Sequence, residues 1–420
     1  MFRKIFMTVA IFLLVAIAPV QAKNTDDYNL TGVVVLSRHN IRAPMSGKNS
    51  AVAKITPHKW FKWTSAPSEL SLRGGEAETI MGQYFRKWLV SENLITENYF
   101  PAEGEVRFYA NSKQRTIATA QFFSSGLFPV ANVRIERKFT SDKMDPVFKP
   151  QLTLVNDEFI ALATAQVNAM FPDKIPTENL RLLERVLDFK NSEMAKAEGI
   201  THFRDEPIEV IFKLNEEPAT RGTLKLACQA ADALTLQYYE EENSVKAAFG
   251  HKLTFSDWQK ISAIKDFYQD VLFTAPAIAV NVAHPLLQVM NDELSLDRKF
   301  TFLCGHDSNI ASVLAALDVE DYSLPQAIES KTPIGAKFVI EKWRGADGID
   351  YAATKLIYQS TEQLRNKTTL TLDNPPMIVP IHFKGLNHNA AGFYRLEDLQ
   401  ERFQQAINAY YDLPTESKAA

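Results

Sequence analysis

Cysteine is scarce: the 420 residues contain only Cys228 and Cys304. A dense disulfide framework is therefore excluded as the source of stability, and so is a zinc site built from paired cysteines. Cys304 ends an apolar strand-like run and Cys228 lies on an expected helix, so one disulfide and two buried thiols both stay open. His-Glu-x-x-His is missing as well, which removes that route to a metal centre. Neither sign of charge is in excess: 46 Lys and Arg face 50 Asp and Glu, a formal net charge of -4. That balance gives no support for nucleic-acid binding or a basic membrane-surface patch, and points to a small-molecule partner. Repeats and low-complexity tracts are lacking too, while 46% hydrophobic and 23% charged residues fit an ordinary globular chain with a large core.

Long apolar runs are confined to the N-terminus. Arg3 and Lys4 form a positive n-region, Ile5 to Ile17 an apolar core, and Val20-Gln21-Ala22 a small-residue cleavage site. The apolar run is shorter than the roughly 20 residues that span a bilayer. Residues 1–22 are thus expected to be a signal peptide of a periplasmic or secreted protein, with no membrane association after cleavage.

Gly32-Val33-Val34-Val35-Leu36 reads as a buried strand, and Leu72 to Leu89 as the amphipathic crossover helix of a β-α-β unit. Glu105 to Ala110 supplies the next strand and Ile117 to Phe128 a helix, with Asn111 or Ser112 as its N-cap. Helical spacing then dominates: Asp157 to Phe171, Glu178 to Lys196, Ala227 to Tyr239, Ser256 to Phe273, and Ile278 to Leu294 interrupted by Pro285. Strand signals return at Lys299 to Cys304, followed by a helix over Ile310 to Leu317 and an antiparallel pair, Ala336 to Trp343 with Tyr351 to Gln359. The expected architecture is an α/β core, residues 23–141 and 296–413, with an inserted α-rich domain over 142–295 and a flexible tail at 414–420.

Three polar clusters share one context, the C-terminal end of an expected strand, where α/β sheets bind ligands. They are Arg38, His39 and Arg42 in Ser37-Arg38-His39-Asn40-Ile41-Arg42-Ala43-Pro44; Arg115; and His306 with Asp307. In one sheet they converge. Three guanidiniums and an imidazole suit the oxygens of a phosphoryl group, because the bidentate fork matches phosphate geometry. Neighbouring cations depress an imidazole pKa and keep its attacking nitrogen free, so His39 can act as nucleophile through a phosphohistidine. Asp307 is placed to protonate the leaving alcohol and then deprotonate water, which favours acidic pH. Neither a metal nor a cofactor is called for. Taken alone, His306-Asp307 also fits a helix start with Asp307 or Ser308 as cap.

These residues resemble the histidine acid phosphatases, through Ser37 to Pro44, Gly305-His306-Asp307, and Asn111 to Thr119 around a third arginine. Within that family the likeness is greatest to bacterial periplasmic glucose-1-phosphatases, through Asp145-Pro146, Leu236 to Glu240, His306 to Ala311, Thr332 to Gly335 and Tyr358 to Ser360. The resemblance implies a phosphoglycerate-mutase-like α/β fold, a mixed sheet with helices on both faces plus the α-rich insert. It implies His39 as nucleophile, Asp307 as proton donor, and Arg38, Arg42, Arg115 and His306 as phosphate binders. Glu217, before Pro218, fits the place of a sugar-contacting glutamate. Two departures stand out: Asn40 where most of the family has Gly, either residue tolerating a left-handed turn, and two cysteines where bacterial relatives carry several disulfides. The expected activity is hydrolysis of a phosphomonoester, glucose 1-phosphate first. A phytase-like or broad acid phosphatase and a non-catalytic sugar-phosphate binding protein are the alternatives.

Overall fold

The computed structural model describes residues 27–45, 50–140, 143–172, 177–203 and 208–414. The expected signal segment and all of the expected tail beyond Pro414 lie outside these residues. In chain order the first part comprises β1 (Tyr28–Arg38), α1 (Ala51–Lys54), α2 (Leu72–Ser91), β2 (Val106–Ala110), α3 (Gln114–Leu127) and β3 (Ile135–Glu136). A helical stretch follows: α4 (Asp157–Met170), α5 (Thr177–Leu187), α6 (Glu193–Glu198), a small hairpin of β4 (Val210–Ile211) and β5 (Ala219–Thr220), α7 (Leu224–Glu240), α8 (Ser244–Ala247), α9 (Phe255–Phe273) and α10 (Pro276–Ser295). The last part comprises β6 (Phe300–Gly305), α11 (Asp307–Ala316), β7 (Lys337–Gly345), β8 (Asp350–Tyr358), α12 (Thr361–Asn366), β9 (Met377–Pro380), β10 (Tyr394–Arg395) and α13 (Leu396–Tyr411).

The main sheet runs β10-β8-β7-β1-β6-β2-β3, with β9 on β8. It is mixed, because β1, β6, β2 and β3 are parallel while β7 to β10 pair antiparallel. The Val33–Leu36 run of β1 is apolar because both its faces are covered. Val33 and Val35 enter the cluster that holds Met81, Phe85 and Phe123 of α2 and α3, while Val34 and Leu36 enter the cluster of Leu286, Ile310 and Phe403 from α10, α11 and α13. The period-two alternation thus sends successive side chains to opposite helical layers. Register then fixes function: Arg38 pairs with Gly305 and Ala110 with Cys304, so the residues after β1, β6 and β2 emerge side by side on one edge.

Two helices differ from expectation. The stretch Glu178 to Lys196 breaks at Asp188, which is left-handed at φ 49°, and continues as a 3-10 turn over Phe189–Asn191 and then α6. Conversely, α10 runs straight through Pro285. The roughly 3 kcal/mol that an internal proline costs is offset by burial of Val282, Ala283, Leu286 and Leu287 among α4, α11 and α13. Both cysteines are free thiols; Cys304 is a small buried filler of the sheet.

Candidate active site

At the end of β1 the chain turns its polar residues toward the carboxyl edge of the sheet. Arg38 is buried, with Nη1 donating to the Thr332 carbonyl at 2.5 Å and Nη2 lying 3.3 Å from Oδ2 of Asp307. His39 Nδ1–H donates to the Asn40 carbonyl at 2.8 Å, an oxygen that can only accept. In the neutral ring Nε2 therefore carries the lone pair. Burial first, and then Arg115, His306, Arg42 and Arg38, hold the His39 pKa well below the usual imidazole range. Arg42 Nη2 donates to Asp232 of α7 at 2.9 Å.

His306 follows β6 directly, and its N–H donates to Asn309 Oδ1 at 2.8 Å, which closes the first turn of α11. His306, not Asp307 or Ser308, is thus the N-cap, and Asp307 is the first helical residue. Asn111 at the end of β2 settles the His306 tautomer. Its Oδ1 accepts from the backbone N–H of Ser112 at 2.8 Å and of Asp145 at 3.0 Å, so its amide NH2 must face His306 Nε2, 2.7 Å away. The proton then sits on Nδ1, 3.4 Å from Arg115 Nη2. Two donors facing each other repel unless an anion lies between their hydrogens. Burial and the surrounding arginines hold His306 neutral, well below its ordinary pKa, and burial with Arg42 pushes Arg115 down to about 10, still a cation. Asn111 therefore does not cap α3, whose N-cap is Lys113.

Arg38, Arg42 and Arg115 are all buried, and each keeps an Nε with no hydrogen-bond partner among the described residues. Unpaired buried donors are costly, and three of them beside two imidazoles fit an anion with several oxygens. The His39 and His306 rings stand edge to face at 5.5 Å. Asp307 is the carboxyl of the group that still meets solvent, its side chain 30% exposed. Burial raises its pKa, but Arg38, Lys265 and Arg42 outweigh this and hold it well below the usual carboxylate range. These cations thus favour the ionised form of Asp307. Glu217, in the loop that joins β4 to β5, is exposed and within electrostatic range of Asp307 and Arg115. Displaced water and the Asp307 charge raise its pKa.

Beneath the loop lies a polar brace with no signature in the sequence. Glu78 of α2 and Lys337 of β7 form a fully buried ion pair at 3.0 Å. Lys337 Nζ also donates to Ser37 Oγ and the Gly335 carbonyl, and Asn40 Nδ2 donates to Glu78 at 2.8 Å. Asn40 also accepts from the Ile41 N–H, and its φ is negative, so its amide, not left-handed freedom, explains its presence. Gly335 does need its freedom: φ is +72°, and a Cβ there would lie 2.5 Å from Asn40 Nδ2. Lys337→Met should destabilise the fold by roughly 3–5 kcal/mol, because it strands a buried carboxylate. Adding Glu78→Leu should recover much of that loss. Urea midpoints of the single and double variants measure it.

Sequence reasoning also missed Asn111 as orienter of His306, Asp145, Asp232, Lys265 and Glu329. Tyr109 donates to Asp145, whose N–H fixes Asn111, and Tyr239 donates to Glu329 at 2.6 Å, which lies 3.8 Å from Arg38. Asp145 and Tyr239 sit inside the resemblance motifs, a signal that could have marked them as supports.

The model of the histidine phosphatase superfamily (branch 2) matches residues 29–363. A glucose-1-phosphatase of Providencia rettgeri is 36% identical over 408 residues, covering 96% of this chain and 97% of that protein. A glucose-1-phosphatase of Salmonella typhimurium is 38% identical over 398 residues, covering 93% and 94%. The structure of Hafnia alvei phytase in complex with myo-inositol hexakis sulphate superposes with a TM-score of 0.81 at 25% identity, covering 92% of this chain and 99% of that one. With matches that span nearly its whole length and a sheet of the same architecture, the chain belongs to branch 2 of the histidine phosphatase superfamily.

Proposed function

We propose that the chain hydrolyses sugar phosphate monoesters outside the cytoplasm, with glucose 1-phosphate as preferred substrate and a phosphohistidine on His39 as intermediate. The observation that carries this reading is the convergence of three buried guanidiniums with unpartnered Nε donors on a neutral His39 whose Nε2 is free. Arg38, Arg42, Arg115 and the Nδ1–H of His306 hold the phosphoryl oxygens. His39 Nε2 attacks phosphorus as the ester P–O bond breaks, and the leaving oxygen takes a proton from Asp307. Water then gives its proton to Asp307 and attacks phosphorus, the P–N bond breaks, and phosphate leaves. A bound phosphate group neutralises the arginines that depress Asp307, so its pKa rises when a proton is needed.

Residues 142–295 are read as an α-rich insert that supplies the pocket rim, since Glu217, Asp232 and Lys265 all come from it. The glucose-1-phosphatase assignment rests on 36–38% identity over almost the entire chain; the phytase-like reading rests on the likeness at 25%. Glu217 favours the former, because an acid at the rim repels a polyphosphorylated leaving group while accepting from sugar hydroxyls. Initial rates of phosphate release from glucose 1-phosphate and phytate decide between them. Glucose 1-phosphate should be favoured, and Glu217→Ala should lower that ratio about tenfold through KM. Preference for phytate in the wild type would contradict the assignment. Export is tested by fractionation, which should yield chains beginning at Lys23.

A further inference from the structure

Lys265 of α9 is a buried ammonium for which the mechanism above has no use. Its side chain is 5% exposed, yet Nζ has no hydrogen-bond partner among the described residues. It lies 3.9 Å from Oδ2 of Asp307 and 3.2 Å from Oδ1 of Asp266. Asp266 is itself held, since its Oδ2 accepts from the N–H of Ser330 at 2.7 Å and from Ser330 Oγ at 2.9 Å. Oδ2 of Asp307 is the same oxygen that Arg38 approaches at 3.3 Å, and Arg38 is anchored by the Thr332 carbonyl. Both cations are therefore braced by one segment, Glu329 to Thr332, which Gln269 of α9 ties down through a 3.0 Å bond to Thr332 Oγ1.

We propose that Lys265 is a positioning residue for the proton donor: with Arg38 it clamps the Asp307 carboxylate through Oδ2, fixing its orientation and controlling when it can hold a proton. This rests on the reading of Asp307 as general acid. The two clamping cations respond differently to substrate. Arg38 engages the phosphoryl group, so its hold on Asp307 weakens when substrate binds. Lys265 approaches the carboxylate from the α9 side and keeps its charge on the acid through the proton transfer. Of the other groups around Asp307, Arg42 and Arg115 also turn to the phosphoryl group, and His306 is neutral. Glu217 from the hairpin and Asp266 from α9 oppose the clamp, while burial and Asp232 keep the Cys228 thiol of α7 protonated. Lys265 is thus the cation that sets how readily Asp307 is protonated in the complex.

The test compares the pH profile of kcat on glucose 1-phosphate for wild type, Lys265→Met, Lys265→Gln and Lys265→Arg, with Asp307→Asn alongside. Loss of a cation about 4 Å from a carboxylate raises its pKa by about one unit or more. Activity that needs protonated Asp307 falls as pH rises through that pKa, so the alkaline limb of both neutral variants should move up by about one pH unit, while the arginine variant keeps it in place. The acid limb, set by His39, should stay put. An even loss across all pH, or a raised KM with an unmoved limb, would overturn the clamp and leave a packing or substrate-contact role. If Asp307→Asn keeps full activity, it is the general-acid reading that fails, whatever the lysine variants do.

Discussion

Replacing His39 by alanine is expected to abolish turnover, by about a thousandfold or more in kcat. The ring makes a hydrogen bond to the Asn40 carbonyl and packs edge to face on His306, outside the apolar clusters on either side of the sheet, so the fold should survive its loss. Phosphate binding should survive too, because Arg38, Arg42, Arg115 and His306 are untouched. The variant should therefore bind inorganic phosphate with near-normal affinity by calorimetry while releasing none from glucose 1-phosphate. Neutrality of His39 makes a linked prediction. Burial and four positively charged or polar neighbours depress its pKa well below the usual range, so protonation silences the nucleophile only at a pH well below the range where an ordinary histidine would be lost.

The second large effect is Asp307→Asn. Without a proton for the leaving alcohol, kcat on glucose 1-phosphate should fall by about 10²–10⁴. The loss should be much smaller with 4-nitrophenyl phosphate, whose phenolate departs without a proton. KM should not rise, since the substitution removes a negative charge beside the phosphate. Equal losses on both substrates would show that Asp307 holds Arg38 in place (3.3 Å) and has no part in proton transfer.

What could be read directly from the chain was whatever sits within a few residues of a strand end. Arg38, His39 and Arg42 follow an unmistakable apolar run, His306 and Asp307 follow another, and parallel pairing of the two strands brings the clusters together. The sheet, its crossover helix and the late antiparallel pair were legible for the same reason, period-two or period-3.6 burial. The supports were not. Glu78, Asp232, Lys265 and Lys337 are single charged residues at positions that look like ordinary helix or strand surface; only the packing of α2 against the sheet and of α7 against α9 encloses them. Asn111 was visible as a polar turn residue, but its use depended on Asp145, 34 residues on, occupying its carbonyl oxygen. Pro285 misled because local propensity was weighed without the packing on both sides of α10.

The role given to His39 implies two displacements at phosphorus and not one. Hydrolysis of glucose 1-phosphorothioate, made chiral at phosphorus with two oxygen isotopes and run in water carrying the third, reports this directly. The two in-line steps, onto His39 Nε2 and then onto water, predict thiophosphate with overall retention of configuration. Inversion would mean that water attacks the substrate directly, and His39 would then have no place as nucleophile.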